Sequence, residues 1–323
     1  MQNVLSLIRG FLAEMGGNLA PEATCEEEMY HIPPAEPRMV PGSFFEIPKK
    51  RSRPMALQLF QSGKSRTFMV GKIVSENDVR PVHYASVASV VLSRDQGSFK
   101  PYTRPLMAHV ILLDLNGLDE GDVVERYSEG IEIVNTNPGD SGYKAHRLAA
   151  ITSAARIQRE MMEEGLIAIG QEREPGVVVV VNGSLQGIEG ADSMPGLVGL
   201  VPADAEALGN SSLVLDCPFG ARSALDEVGH PPAFYMRLRE ARGNNPDFGL
   251  VRVELGLNPD GVKPDEVWAS DVANLLLAER FPVARDFTGW DKSIYALNHT
   301  DKYIDTLIPA PSVVTTYFGR STA

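Results

Sequence analysis

The first apolar pattern in the chain is helical: Val4, Leu5, Ile8, Leu12 and Met15 fall on one stripe, predicting a short amphipathic helix over residues 1–17. The pattern then stops. Between residues 18 and 54, Pro21, Pro33, Pro34, Pro37, Pro41, Pro48 and Pro54 break any long element, so this stretch reads as an extended arm. Strand-like segments follow at 56–60, 66–73, 83–92 and 109–113, the last ending at Asp114, and Ile131 and Ile133 mark a further short strand. Residues 144–166 carry the clearest helix, with Leu148, Ile151, Ala155, Met162 and Leu166 on one stripe and Gly165 and Gly170 marking its end. Five consecutive valines, Val177 to Val181, predict a strand buried on both faces. Residues 250–255 form another strand, in which Arg252 and Glu254 alternate with apolar neighbours. Ser270 is placed to cap a helix through Leu276 and Glu279 that Pro282 closes. Strands first, then helices interleaved with a buried strand, is an α/β pattern.

Composition narrows the function classes. The 323 residues are enough for one large domain or two ordinary ones, and 43% hydrophobic with 22% charged residues is a globular composition. No apolar run reaches the roughly 18 to 20 residues of a membrane helix. Arg9 and Glu14 interrupt the N-terminal stripe and no basic segment precedes it, which argues against a secretion signal and for a cytoplasmic protein. Two cysteines, Cys25 and Cys217, exclude a disulfide scaffold and fit a reducing compartment. A net charge of −12 argues against wholesale coating of nucleic acid. Local basic patches remain: Lys49, Lys50, Arg51 and Arg53, with Lys64 and Arg66 shortly after.

Several familiar chemistries fail on the residues. Gly63-Lys64-Ser65 imitates the end of a phosphate-binding loop, but Gln58 stands where that loop needs its first glycine, and a strand-like segment follows where a helix should open. There is no G-x-S-x-G elbow, and the histidines at 31, 83, 109, 146, 230 and 299 form no H-x-x-x-H pair. Carboxylates are left. A two-metal nuclease centre needs three or four hard oxygen ligands converging at strand ends around Mg²⁺ or Mn²⁺.

The order of segments resembles the NurA nuclease family, partners of the HerA hexameric ATPase. The resemblance runs over residues 55–305. It is carried by LQLFQSGKSRTFMVG near the start, by Arg159-Glu160 on the long helix, and by VVVVVNGSL at 177–185. GLVGLV at 196–201, GLVRVEL at 249–255, and the stretches 271–282 and 290–304 complete it. It implies an RNase H-like mixed sheet flanked by helices over residues 55–323, preceded by the helix and Pro-rich arm of residues 1–54. It also implies a homodimer, a HerA-like ATPase partner and contact with DNA.

On that resemblance, Ser62 and Asn182 occupy the positions of two metal-binding aspartates, Glu160 keeps the one expected acidic ligand, and His299 corresponds loosely to a C-terminal histidine. Pro202 follows Val201 where a lysine is expected. Serine and asparagine lack the negative charge that offsets dehydration of a divalent cation. The expectation is therefore a catalytically degenerate subunit with no cofactor, acting as scaffold or regulator in DNA repair or anti-phage defence. The alternative is an active Mn²⁺- or Mg²⁺-dependent nuclease using Glu160 with a displaced acid, Asp114 or Asp192. The N-terminal helix and the arm are the expected docking surfaces.

Overall fold

Val177–Val181 are each 9% exposed or less because their strand runs through the middle of a wide sheet with helices on both faces. The computed structural model describes residues 2–19, 44–50, 56–75, 78–118, 131–139, 142–172, 174, 176–203, 212–226, 231–241, 245–281 and 289–319. Among the described residues, twelve strands form the sheet: β1 (Asn18–Leu19), β2 (Phe44–Glu46), β3 (Ala56–Ser75), β4 (Asp78–Asp95), β5 (Ser98–Pro101), β6 (Leu106–Leu113), β7 (Glu132–Asn135), β8 (Val177–Asn182), β9 (Leu197–Pro202), β10 (Ala221–Ser223), β11 (Ala233–Arg237) and β12 (Leu250–Leu255). The helices are α1 (Gln2–Glu14), α2 (Tyr143–Glu172), α3 (Ser212–Leu215), α4 (Glu266–Ala278), α5 (Tyr295–Leu307) and α6 (Pro311–Gly319).

The spatial order is β2-β10-β11-β12-β9-β8-β3-β4-β6-β7, with β1 added to β3 and β5 to β4. The sheet is mixed: β3–β8, β8–β9 and β6–β7 pair in parallel, and the other pairs are antiparallel. This is an α/β architecture. No helix among the described residues is long and apolar enough to cross a membrane.

The strand period of two decides what each face receives. On β3, β4, β6 and β8, residues such as Leu59, Ala85, Val87, Val110, Leu112, Val179 and Val181 pack under α2, against Ala150, Ala154, Ile157, Met162 and Leu166. The alternate positions Phe60, Val178 and Val180 pack against Trp268 and Val272 of α4 and Leu297 of α5. Further along that second face, Phe68, Val70, Tyr84 and Ile111 pack against Leu5, Ile8 and Leu12 of α1 and Phe318 of α6. The stripe expected to dock a partner is thus buried on the chain's own core, where the same apolar spacing is needed. Of the Pro-rich arm, residues 20–43 lie outside the described residues, as do Cys25, His31, Arg51, Arg53 and His230.

Several elements differ from the sequence pattern for identifiable reasons. The segments at 56–60 and 66–73 are one 20-residue strand, β3, because Gly63 sits inside it and does not turn it. A Cβ at Gly63 would stand 2.6 Å from Met162 Sδ and 3.0 Å from Gln158 Cγ, so the glycine lets α2 approach the strand. The return strand is β4, paired from Leu59↔Ser93 to Ser75↔Asp78.

Helix α2 continues past Gly165 to Glu172, since Gly165 is a close-contact position, with Gln61 Nε2 2.9 Å from where its Cβ would stand. Leu148 lies on the outer face of α2, 61% exposed, and not on the core stripe. Helix α4 starts a turn earlier than Ser270: Asp265 is its N-cap, accepting the Trp268 N–H at 2.7 Å. It ends at Ala278, and Pro282 lies outside the described residues. Arg252 and Glu254 are both buried, so β12 is covered on both faces.

Candidate functional site

Strand β8 ends at Asn182, one residue beyond the Gln61↔Val181 pair that closes its parallel register with β3. Beyond this point, among the described residues, β3 pairs on that edge only with β1, at Gly71 and Lys72. The end of a parallel strand beside a continuing one is the usual position of a site in an open α/β sheet. Ser62 and Asn182 share the face covered by α5, as the parity of their neighbours Phe60 and Val180 requires.

The structure brings Ser62 and Asn182 into contact, with Asn182 Nδ2 3.3 Å from Ser62 Oγ. It closes the pair with a residue the sequence reading did not identify, Asp301 of α5. Ser62 Oγ donates to Asp301 Oδ1. Asn182 Nδ2 lies 3.0 Å from Oδ1 and 2.9 Å from Oδ2. Burial pushes the Asp301 carboxyl above the usual carboxylate range, and nearby Asp305 adds to this. The Ser62 and Asn182 hydrogen bonds and the charge of Lys64 pull the other way.

Geometry extends the cluster along both elements. Ser62, Lys64 and Arg66 stand two apart on one face of β3, and Asp301 and Asp305 stand one turn apart on α5. Lys64 Nζ meets Asp305 Oδ1 at 2.7 Å and Arg66 Nη2 meets the same oxygen at 2.6 Å. Arg66 Nη1 also donates to the Pro309 carbonyl at 3.0 Å. Two carboxylates therefore face two cations, and the cluster is charge-balanced by its own side chains.

The remaining expected residues lie elsewhere. Glu160 is on α2, across the sheet from Ser62, and points outward. Its neighbours Gln158 and Met162, 200° away around the helix, are the residues on Gly63. Its carboxylate pairs with Arg156 at 2.6 Å, both side chains being more than half exposed. Asp114 follows β6, whose register through β4 sets it about ten residues beyond Ser62 along β3, roughly 30 Å at ~3.3 Å per residue. There its carboxylate caps a turn, accepting the Asn116 N–H at 3.0 Å. His299 is on α5 but two residues from Asp301, hence turned well away from it. Its ring lies 4.6 Å from that of Phe99 and 6.1 Å from that of Tyr295. The side chain of Asp192 lies outside the described residues.

The donor set does not fit Mn²⁺ or Mg²⁺. Ser62, Asn182 and Asp301 supply one carboxylate, both of whose oxygens are already accepting hydrogen bonds, and Asp305 is taken by Lys64 and Arg66. Among the described residues no group of three or more His, Cys, Asp or Glu side chains is placed to hold a metal ion. Gly63-Lys64-Ser65 lies within a strand and forms no phosphate-binding turn. Cys217, the free cysteine among the described residues, is buried with its thiol pushed up to about 12, which makes it a packing residue and not a nucleophile.

The signal for Asp301 was present as the i, i+4 pair Asp301/Asp305 facing the alternating Ser62, Lys64 and Arg66. It becomes readable only once α5 is known to cross β3. No protein-family model matches the chain. No curated protein matches it. Among solved structures, the chain is similar to the NurA nuclease from Sulfolobus solfataricus, with 10% sequence identity and a TM-score of 0.40 over 80% of this chain and 85% of that one.

Proposed function

We propose that this chain is a NurA-like subunit with an RNase H-like core whose nuclease centre has become a closed polar cluster. In this reading it serves DNA processing, in repair or anti-phage defence, as a homodimeric scaffold or regulator of a HerA-like hexameric ATPase. The observation that carries the reading is the Ser62–Asn182–Asp301 cluster at the end of β8. Two positions where a metal-dependent nuclease needs charge hold neutral side chains, and the one acid among them is occupied by those same side chains. A divalent cation entering here would have to break three hydrogen bonds and would gain no net negative charge from the Asp305–Lys64–Arg66 group.

One feature favours a second reading, an active Mn²⁺-dependent nuclease: a carboxylate, Asp301, does enter the Ser62–Asn182 pair. A single assay separates the two. Purified chain, with and without a HerA-like ATPase, is given single- and double-stranded DNA plus Mn²⁺, beside Asp301→Asn and Glu160→Ala variants. The scaffold reading expects intact DNA in every lane and an ATPase rate changed by addition of the chain. Cleavage abolished by Asp301→Asn or by Glu160→Ala overturns it. An ATPase that neither binds the chain nor changes its rate removes the partnership.

A further inference from the structure

We infer that Glu254 is a positioning residue for this site: from β12, two strands away, it holds the turn that presents Asn182. The inference rests on reading Ser62, Asn182 and Asp301 as the site, and it adds to that reading the element that fixes the site's geometry.

After Asn182 the chain turns at Gly183, whose φ of +124° is accessible in practice only to glycine. The Gly183 N–H is tied to the Leu200 carbonyl of β9 at 3.0 Å. The chain then folds down over β9 at Gly199, the residue in register with Glu254. A Cβ on Gly199 would stand 2.9 Å from the Gly183 carbonyl oxygen and 2.9 Å from Leu185 Cγ, so a glycine there lets the turn reach the sheet.

At that depth lies the Glu254 carboxylate, 0% exposed. Its Oε2 accepts the Leu185 N–H at 2.7 Å and the Ser184 hydroxyl at 2.8 Å, while Ser184 Oγ accepts the Gln186 N–H at 3.0 Å. Its Oε1 has no hydrogen-bond partner among the described residues and lies 3.3 Å from Arg252 Nη2. A buried carboxylate is tolerated only when donors reach it, and a turn that passes over a sheet needs acceptors for its amides. Glu254 and the turn meet both needs at once.

Burial holds the Glu254 carboxyl above the usual carboxylate range, against the opposing pull of Arg252 and of the turn's donors. Among the described residues, the charged and titratable groups that act on it are Arg252 on the same strand and Tyr235 on β11. Tyr235 is raised by its own burial and influenced by Asp226.

The test uses the full chain with no DNA, metal or ATPase, so its outcome is independent of the scaffold-versus-nuclease question. Amide hydrogen exchange and the Asn182 carboxamide resonance are read by NMR in the native protein, E254Q and Ser184→Ala. E254Q keeps the shape and removes the charge. It is expected to speed exchange of the Leu185 and Gln186 amides at least about tenfold and to move the Asn182 carboxamide signal, with β3–β4 amides unchanged. Ser184→Ala is expected to act in the same direction and less. Protection of Leu185 in the native protein should also change as Glu254 titrates, and in E254Q this pH dependence should vanish. Unchanged exchange at Leu185 and Gln186, or an unmoved Asn182 signal, overturns the inference. If E254Q does not fold, Ser184→Ala, which deletes one donor and leaves no new charge, decides the same question.

Discussion

Helices α2 and α5 lie on opposite faces of the same β3–β4 hairpin and meet it by different chemistry. Helix α2 meets the sheet through alanine, isoleucine, methionine and leucine side chains, with Gly63 and Gly165 allowing close approach. Polar groups at that contact include Gln158, which donates to the Gly63 carbonyl at 2.9 Å, Gln61, which donates to the Met162 carbonyl at 2.6 Å, and the buried His83, Ser89 and His146. Helix α5 instead brings Asp301 and Asp305 against Ser62, Lys64 and Arg66. The longer, more conspicuous helix carries the acid the family resemblance favoured, Glu160, and turns it to solvent. The shorter helix delivers a carboxylate to the strand ends. Which helix supplies the acid is decided by strand parity, because Ser62 faces α5 while Gln61 and Gly63 face α2.

The sharpest way to break this contrast is to delete Asp301, the half-buried acid on α5. Asp301→Ala strips both the buried Ser62 hydroxyl and the half-buried Asn182 amide of their acceptor. It should lower unfolding free energy by about 4 kcal/mol, at ~1–3 kcal/mol per orphaned group plus weaker packing of α5 on β3, measured by urea denaturation. A loss below about 1 kcal/mol would mean that α5 is not anchored through this carboxylate.

Acid titration separates the two faces next. His83 is 4% exposed, and burial, reinforced by the nearby His146, lowers its pKa from 6.5 to about 4. The unfolded chain therefore binds more protons than the folded one between these values. The stability that the neutral ring gives is intact above pH 6.5 and is lost as pH falls through the window, by about 3 kcal/mol at pH 4. Asp301 has the opposite sign: its raised folded pKa makes its contribution largest at low pH and smaller as pH rises through that value. Acid should loosen the α2 face first, seen as earlier hydrogen exchange in α2 than in α5. His83→Leu should flatten the slope between pH 4 and 6.5. An unaltered slope would remove His83 from the α2 contact energetics.

The smallest effect belongs to Glu160, the acid the family resemblance favours. Glu160→Ala breaks an exposed i, i+4 pair with Arg156 and should change stability by about 0.5 kcal/mol or less. A larger loss would place Glu160 in a structural role that its exposure does not suggest.

Much of the scaffold was legible from pattern alone. Five valines predict the central strand, the stripe along 148–166 predicts the long helix although its first member, Leu148, faces outward, and the apolar run ending at Asp114 predicts β6. What pattern missed was set by tertiary contact. Gly63 and Gly165 look like breaks in the pattern but are places where a helix presses on a strand, so pattern alone predicts two strands where one long β3 runs and ends α2 early. Ser270 read as a cap because the true cap, Asp265, precedes a stretch with little apolar periodicity. At the site, the resemblance supplied Ser62 and Asn182. It could not supply Asp301, whose role depends on α5 crossing β3. His299, two residues away on the same helix, is the residue the resemblance points to, and its ring packs at a tilt against Phe99.

The central proposal is that neutral and self-paired side chains stand at the end of β8 where a metal site would need carboxylates. Calorimetric titration of the native chain and of the Ser62→Asp/Asn182→Asp variant with Mn²⁺ tests it most directly. The account predicts no binding heat for the native chain at millimolar Mn²⁺ and measurable binding once the two aspartates join Asp301. Tight Mn²⁺ binding by the native chain that disappears in Asp301→Asn would contradict it.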